Sequence, residues 1–199
     1  MTTLTEGEKI FARARQFGKP IADLVGPMPY TARQMMLDDP HAKHGLQRYW
    51  RSALTEGVSD ELIDLLVEGA SKFSSPLSSV VFFYMHGAVA RVAPQDTAFA
   101  ARRKQWDFDL IGQWANAAES DSHISWVKSL WAELEPQLMG TAYVNHLSPD
   151  DQPEKLRASF GQNFDRLRQV KGVYDPTNLF RLNANIAPPS SKVSQAFSG

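Results

Sequence analysis

The stretch WDFDLIGQW, residues 106–114, decides the fold class because apolar and polar side chains alternate along it. This period of two predicts a β-strand with one face packed on the core and one polar face. Asp107 and Asp109 share the polar face, about 7 Å apart by the rise of a strand. If Asp109 points into a cleft it could abstract a proton, and an ordinary exposed sheet face is the alternative.

Further patterns on either side of this strand supply more strands and helices. Residues 46–54 form an aromatic-rich strand, and residues 79–85 are a β-branched run typical of the middle of a sheet. Apolar residues recur at three- and four-residue steps from 122 to 134, which predicts an amphipathic helix. Thr5 and Glu8 have the spacing of a capping box that begins an earlier helix.

These elements predict the α+β class, with an antiparallel sheet covered on one face by helices and a C-terminal extension of helix and loop. We assign residues 1–150 to one α+β domain, residues 151–189 to the extension, and the Ser-rich residues 190–199 to a disordered tail.

Composition excludes several classes of protein. The 21 basic and 22 acidic residues are interspersed without runs of like charge, which argues against nucleic acid or a membrane as a partner. There is no cysteine, and no apolar run approaches the roughly 20 residues of a membrane span. A cytoplasmic location is the expectation.

Residues 143–146, YVNH, place a phenol, an amide and an imidazole within one short segment that we predict to be extended. His146 is a candidate acid, base or donor, although an isolated histidine is more often structural. His41 and His44 lie near two aspartates, but loop chemistry makes a solvated turn the better interpretation, and we predict no metal site. An aromatic-lined cleft and an ordinary aromatic core remain alternatives for four further residues: Tyr49, Trp50, Phe83 and Tyr84.

Three stretches resemble the berberine-bridge-like branch of the FAD-linked oxidases: residues 87–102, residues 143–146, and residues 174–188 with the closing sequence YDPTNLF. The resemblance covers about residues 30–188. It implies that the chain is the C-terminal, substrate-binding half of such an oxidase, whose sheet lies over the flavin ring with substrate between them.

By this resemblance, Asp109, His146 and Tyr143 are the catalytic candidates, and Asn145 and Asn178 are the candidates for cofactor binding. The cofactor would be FAD. His86 and the pair Ala100–Ala101 depart from the family pattern, and we find no glycine-rich diphosphate loop, so we expect this chain to lack the flavin domain.

Three functions stay open at this point. The first is the substrate-binding part of an oxidoreductase that oxidises a small organic molecule by hydride transfer to flavin and is inactive without a flavin domain. That domain is supplied by a separate chain, or it is missing because the sequence is a fragment. The second is a flavin-free binding module or an acid–base isomerase or cyclase, as a monomer or homodimer. The third is a non-functional remnant. The substrate is not readable from the sequence.

Overall fold

The structure, a computed structural model, describes residues 3–19, 21–36, 38 and 44–189. The chain forms two compact units, residues 1–45 and residues 46–199. His41 and the predicted tail, residues 190–199, lie outside the described residues. The domain limits after residues 150 and 189 remain predictions. Within the described part of the chain, no helix is long and apolar enough to cross a bilayer.

The first unit contains helices α1 at Leu4–Arg15 and α2 at Tyr30–Met35. Thr3 caps α1: its hydroxyl accepts from the backbone N–H of Glu6, and the Glu6 carboxylate accepts from the backbone N–H of Thr3. This capping box lies two residues before the predicted pair of Thr5 and Glu8. Both pairs have the required spacing, so the sequence pattern alone fits either.

The second unit is built on a three-stranded antiparallel sheet with the order β1–β3–β2. The strands are β1 at Gln47–Thr55, β2 at Ser79–Met85 and β3 at Gln105–Trp114. The alternating segment is therefore the central strand, as its two-sided burial requires. The prediction that residues 79–85 lie in the middle was wrong for the described sheet, because β2 pairs only with β3 there.

Helices cover one face of this sheet. They are α3 at Asp60–Ser71 and α5 at Ser120–Leu134, and the short helix α4 at Ala88–Arg91 follows β2. Phe108 and Leu110 of β3 are fully buried against them, each stabilising the fold by about 1.5–3 kcal/mol. A Cβ at Gly112 would lie 2.7 Å from Val127 Cγ2, so glycine is what lets α5 approach the strand closely.

The segment that follows α5 passes the β1 edge, and its turn at Val144–His146 covers part of the other face. The backbone N–H of Leu54 donates to Thr141 O at 2.7 Å, and the Lys155 ammonium donates to Ser52 O at 2.7 Å. Helices α6 at Pro153–Phe160 and α7 at Phe164–Tyr174 follow. The α+β class, the antiparallel sheet with helices on one face, and the helix-and-loop extension are thus confirmed.

Candidate functional site

A pocket of about 650 Å³ lies between the polar face of the sheet and the extension. The lining comes from strands β2 and β3, helix α4, the loop before β3, the turn near residue 145 and the end of α6. The lining residues are Phe83, Met85, Val89, Ala98, Phe99, Arg102, Asp107, Tyr143, Val144, Asn145, His146 and Phe160. Most of these side chains are apolar. The volume is typical of a site for a small organic ligand.

Two carboxylates and one imidazole meet at this pocket. Asp107 and Asp109 are buried, with 3% and 4% of their surface exposed. The Nδ1 of His146 lies 3.1 Å from Asp107 Oδ2 and 3.0 Å from Asp109 Oδ2. Neither contact has the alignment of a good hydrogen bond, since one N–H is shared between two acceptors. The polar face of β3 is therefore buried at Asp107 and Asp109, where His146 contacts both carboxylates.

The two carboxylates raise the pKa of His146 from 6.5 to about 10. The contact with Asp107 contributes most and the contact with Asp109 next, while partial burial opposes them. His146 is therefore a cation at neutral pH and a hydrogen-bond donor. The cluster of Asp107, Asp109 and His146 carries one net negative charge when both carboxylates are ionised.

The backbone around His146 fixes the ring above the sheet. The indole N–H of Trp50 donates to the backbone carbonyl of His146 at 3.0 Å. The backbone N–H of His146 donates to the backbone carbonyl of Tyr143 at 2.8 Å. Val144–His146 is a 3-10 turn, so the prediction of an extended segment was wrong. The turn brings Tyr143, Asn145 and His146 to the same pocket, which strict alternation would not allow.

Tyr143 and Asn145 form a polar pair beside His146. The Asn145 amide donates to the Tyr143 hydroxyl at 2.7 Å, which leaves the hydroxyl proton available to a ligand. The Tyr143 ring packs edge-on against the rings of His146 and Phe99, with distances between ring centres of 5.0 and 5.6 Å. Aromatic packing thus holds the phenol at the pocket wall.

The donor atoms of Asp107, Asp109 and His146 lie within 4.8 Å of one another, so these residues could hold a metal ion. A metal bound there would displace the proton from His146 Nδ1. Of the two histidines considered for a metal in the sequence, His41 lies outside the described residues.

Residues 142–187 match the family described as Berberine and berberine like. The chain is 28% identical over 187 residues to the uncharacterized FAD-linked oxidoreductase YgaK of Bacillus subtilis, covering 92% of this chain and 41% of that protein. It is 31% identical over 131 residues to YvdP of the same organism, covering 65% and 29%. The chain is similar to FAD-linked oxidoreductases of the berberine-bridge-enzyme-like family, as its sequence motifs predicted. Two curated relatives match more than 90% of this chain, and the chain spans about 40% of the length of each of them.

The fold of this chain also occurs in a solved structure. The chain superimposes on 6-hydroxy-D-nicotine oxidase from Arthrobacter nicotinovorans with a TM-score of 0.74 at 22% identity. The match covers 94% of this chain and 42% of that structure. At this level of identity the likeness establishes the fold alone.

The pocket of this berberine-bridge-like chain suits the ring of a flavin better than its diphosphate. A flavin ring is planar, with hydrogen-bonding edges, and the pocket offers a half-exposed aromatic ring at Phe83 with the hydroxyl and amide of Tyr143 and Asn145. A diphosphate needs several converging backbone N–H donors, and we find no glycine-rich loop of that kind in this sequence.

Asn178, the other predicted cofactor contact, is not among the residues that line this pocket. It lies in a loop after α7, with a φ of 55°. Asp175 organises that loop by accepting from the backbone N–H groups of Leu179 and Phe180 at 2.7 and 3.0 Å. The nearby Lys171 ammonium lowers the pKa of Asp175.

Two charged residues that line the pocket, Asp107 and Arg102, were not predicted as site residues. Asp107 was recognised only as a neighbour of Asp109, although its spacing of two along the strand already placed both on one face. Arg102 lies with its guanidinium 4.8 Å from the Phe99 ring centre and donates to Thr97 Oγ1 at 2.8 Å. Arg102 ends the stretch 87–102 that carries the family resemblance, but the resemblance gave it no role in the site. Of the four candidate cleft aromatics, only Phe83 lines the pocket.

Proposed function

We propose that this chain is the substrate-binding part of an FAD-dependent oxidoreductase that oxidises a small organic molecule by hydride transfer to flavin. The observation that supports it most strongly is the cluster of Asp107, His146 and Asp109 at the wall of a largely apolar pocket, in a chain similar to this family. The apolar walls would bind the substrate skeleton, and the charged groups would orient its reacting end.

FAD, when bound, would supply the hydride acceptor. Tyr143 and Asn145 would contact the ring edge through their hydroxyl and amide groups. His146 is protonated at neutral pH, so we assign it the role of donor to a substrate oxygen or nitrogen. The carboxylates then become the candidates for holding the proton that the substrate loses. Asp109 acts from behind His146, where it keeps the imidazole charged.

The partner surface of this proposal lies in the extension. One group of exposed apolar side chains lies at the end of α7 and in the following loop, namely Val170, Val173, Tyr174, Leu179, Phe180 and Leu182. Surfaces of this kind mark interaction sites. A flavin-binding domain, in the same protein or in another chain, is our proposed occupant, and a second copy of this chain is the alternative.

One observation favours a second candidate function. The pocket and its cluster are complete within this chain, so a flavin-free binding module, isomerase or cyclase would need no further residues. A cytoplasmic location, favoured by the cysteine-free sequence, is part of either proposal.

Anaerobic flavin reduction tests the proposal. This chain would be produced with the flavin-binding part of YgaK, and a panel of cyclic alcohols and amines would be added without oxygen. We expect bleaching of the yellow flavin bands by one class of compound, and no bleaching with the YgaK part alone. Flavin that docks stoichiometrically but is bleached by no compound, together with a panel compound that is isomerised, would replace this function with the second.

A further inference from the structure

A second pocket, of about 370 Å³, lies where β1 ends and β3 begins, outside the site described above. The loop before β3 forms one wall, and the segment after α5 forms another. The end of α6 and the turn that follows it close the remaining side. The volume lies within the usual range of sites for small organic ligands.

The loop at residues 94–102 separates the two pockets. Residues 98 and 99 line the first pocket, and residues 100 and 101 line the second. The side-chain amide of Asn163 anchors the loop by donating to two of its backbone carbonyls, at 2.7 and 3.0 Å. The small side chains of the pair Ala100–Ala101, which departs from the family pattern, leave room for the second pocket.

The charge of the second pocket favours an anion. Among the described residues that line it, the charged ones are Arg102 and Arg103, and both are cations. The guanidinium of Arg102 is engaged by its own loop, since it donates to Phe99 O at 3.2 Å and to Thr97 Oγ1 at 2.8 Å. Arg102 therefore contributes charge, and Arg103 is the candidate for direct contact with a ligand.

The guanidinium of Arg103 keeps donors for a ligand. Its Nε donates to the side-chain oxygen of Gln105 at 3.1 Å, which holds it at the pocket. Its Nη2 lies 3.4 Å from the sulfur of Met139, and a thioether is a weak acceptor. Its Nη1 lies 2.9 Å from Glu56 Oε1, but both side chains are more than half exposed, and such ion pairs are weak. A ligand carboxylate in the pocket is a stronger partner than the thioether.

The remaining walls suit an apolar body with one further oxygen contact. Leu54, Met139 and Ala158 give the pocket its apolar surface. The hydroxyl oxygen of Thr141, which also lines the pocket, is buried and has no hydrogen-bond partner among the described residues. An unpaired buried hydroxyl is unfavourable, so a ligand oxygen at this wall would stabilise the protein.

We propose that this pocket is a second binding site, which takes a small carboxylate with an apolar body. The carboxylate accepts from the guanidinium of Arg103 and from the hydroxyl of Thr141, and the apolar body packs against the aliphatic walls. The linings of the two pockets share Arg102 and no other described residue. The site is therefore separate from the pocket of Asp107 and His146, and its ligand is a different molecule from the substrate.

A charged and a neutral ligand of the same shape test the site. Cyclohexanecarboxylate and cyclohexanecarboxamide would each be titrated into the ¹⁵N-labelled chain at pH 7 and followed by amide NMR. We expect the carboxylate to bind about tenfold more tightly, the size of one hydrogen bond to a charged group. The amides of residues 100–105 and of Thr141 should shift. Equal affinities, no binding of the carboxylate, or shifts confined to the first pocket would overturn the proposal.

A matched pair of variants assigns the preference to one arginine. Arg103→Gln and Arg157→Gln each remove an exposed arginine that is paired with one carboxylate, but only Arg103 lines the second pocket. Arg103→Gln should bring the affinity ratio of the two ligands close to one, and Arg157→Gln should leave the tenfold ratio unchanged. Equal losses in both variants would overturn the site, because they would assign the preference to net charge.

A third variant tests the location by filling the pocket. Ala101→Leu should abolish binding of both ligands, because the larger side chain occupies the space between the walls. Undiminished binding to this variant would place the ligand elsewhere and overturn the proposal. If Ala101→Leu does not fold, the comparison of the two arginine variants decides the location.

Discussion

The Nδ1 of His146 lies 3.0 Å from the Oδ2 of Asp109, a residue 37 positions earlier in the chain, on the central strand. Asp107 contacts the same nitrogen at 3.1 Å. The turn that carries His146 is thus joined to the central strand by one cationic contact at the pocket. The first prediction concerns the effect of this contact on folding.

Stability should fall as the pH rises through the range in which His146 loses its proton. Because folding raises the pKa of His146 from 6.5 to about 10, the stabilisation is complete below pH 6.5 and is lost towards pH 10. Urea unfolding at pH 6, 8 and 10 measures this decline in the free energy of unfolding. In His146→Gln the decline should be smaller, and an identical decline in both proteins would assign it to other groups.

Asp109→Asn should slow flavin reduction in the flavin-loaded protein about 10²- to 10⁴-fold, the usual contribution of acid–base groups. The variant removes a charge that keeps His146 protonated. Stopped-flow bleaching measures the rate. Asp165→Asn, which removes an exposed carboxylate paired with Arg157, is the matched control and should stay within about twofold, because exposed ion pairs contribute little. A loss as large in the control would show a general effect of charge.

Trp50→Phe should destabilise the turn that holds His146. The indole N–H donates to His146 O at 3.0 Å, and loss of this bond costs about 1 kcal/mol. Urea unfolding gives the change in free energy, and the His146 ring resonances should shift. Trp126→Phe is the control, since Trp126 packs edge-on against Phe73 in the helical layer. Unchanged His146 resonances in Trp50→Phe would contradict this role.

Sequence reasoning predicted what depends on local pattern. The alternation of residues 106–114 identified the central strand and placed Asp107 and Asp109 on one face, because strand geometry fixes the direction of each side chain. The closing sequence YDPTNLF and its neighbours led to the family that the comparisons confirm.

It could not predict what depends on the packing of distant segments. The edge position of β2 follows from the order of the strands in the sheet, and the composition of residues 79–85 does not determine that order. The meeting of His146 with two carboxylates depends on a 3-10 turn held by Trp50, from another strand. The observed capping box lies two residues before the predicted one, because Thr3–Glu6 and Thr5–Glu8 have the same spacing.

Gly112→Ala should lower the free energy of unfolding by about 1–3 kcal/mol, because the new methyl group overpacks the interface of β3 with α5. Its Cβ would lie 2.7 Å from Val127 Cγ2. Urea unfolding measures the change, and adding Val127→Ala should recover part of it. Gly57→Ala is the control, since no atom lies within 4 Å of the added carbon there. Equal losses at both glycines would rule out the steric explanation.

The most direct test of the account is the NMR titration of His146 in the wild-type chain and in Asp107→Asn. We predict that the wild-type imidazole stays protonated through pH 8 and titrates with a pKa of about 10, and that Asp107→Asn lowers this pKa because the largest contribution is removed. A wild-type pKa near 6.5 would contradict the charged cluster, and with it the assignment of His146 as the donor of the pocket.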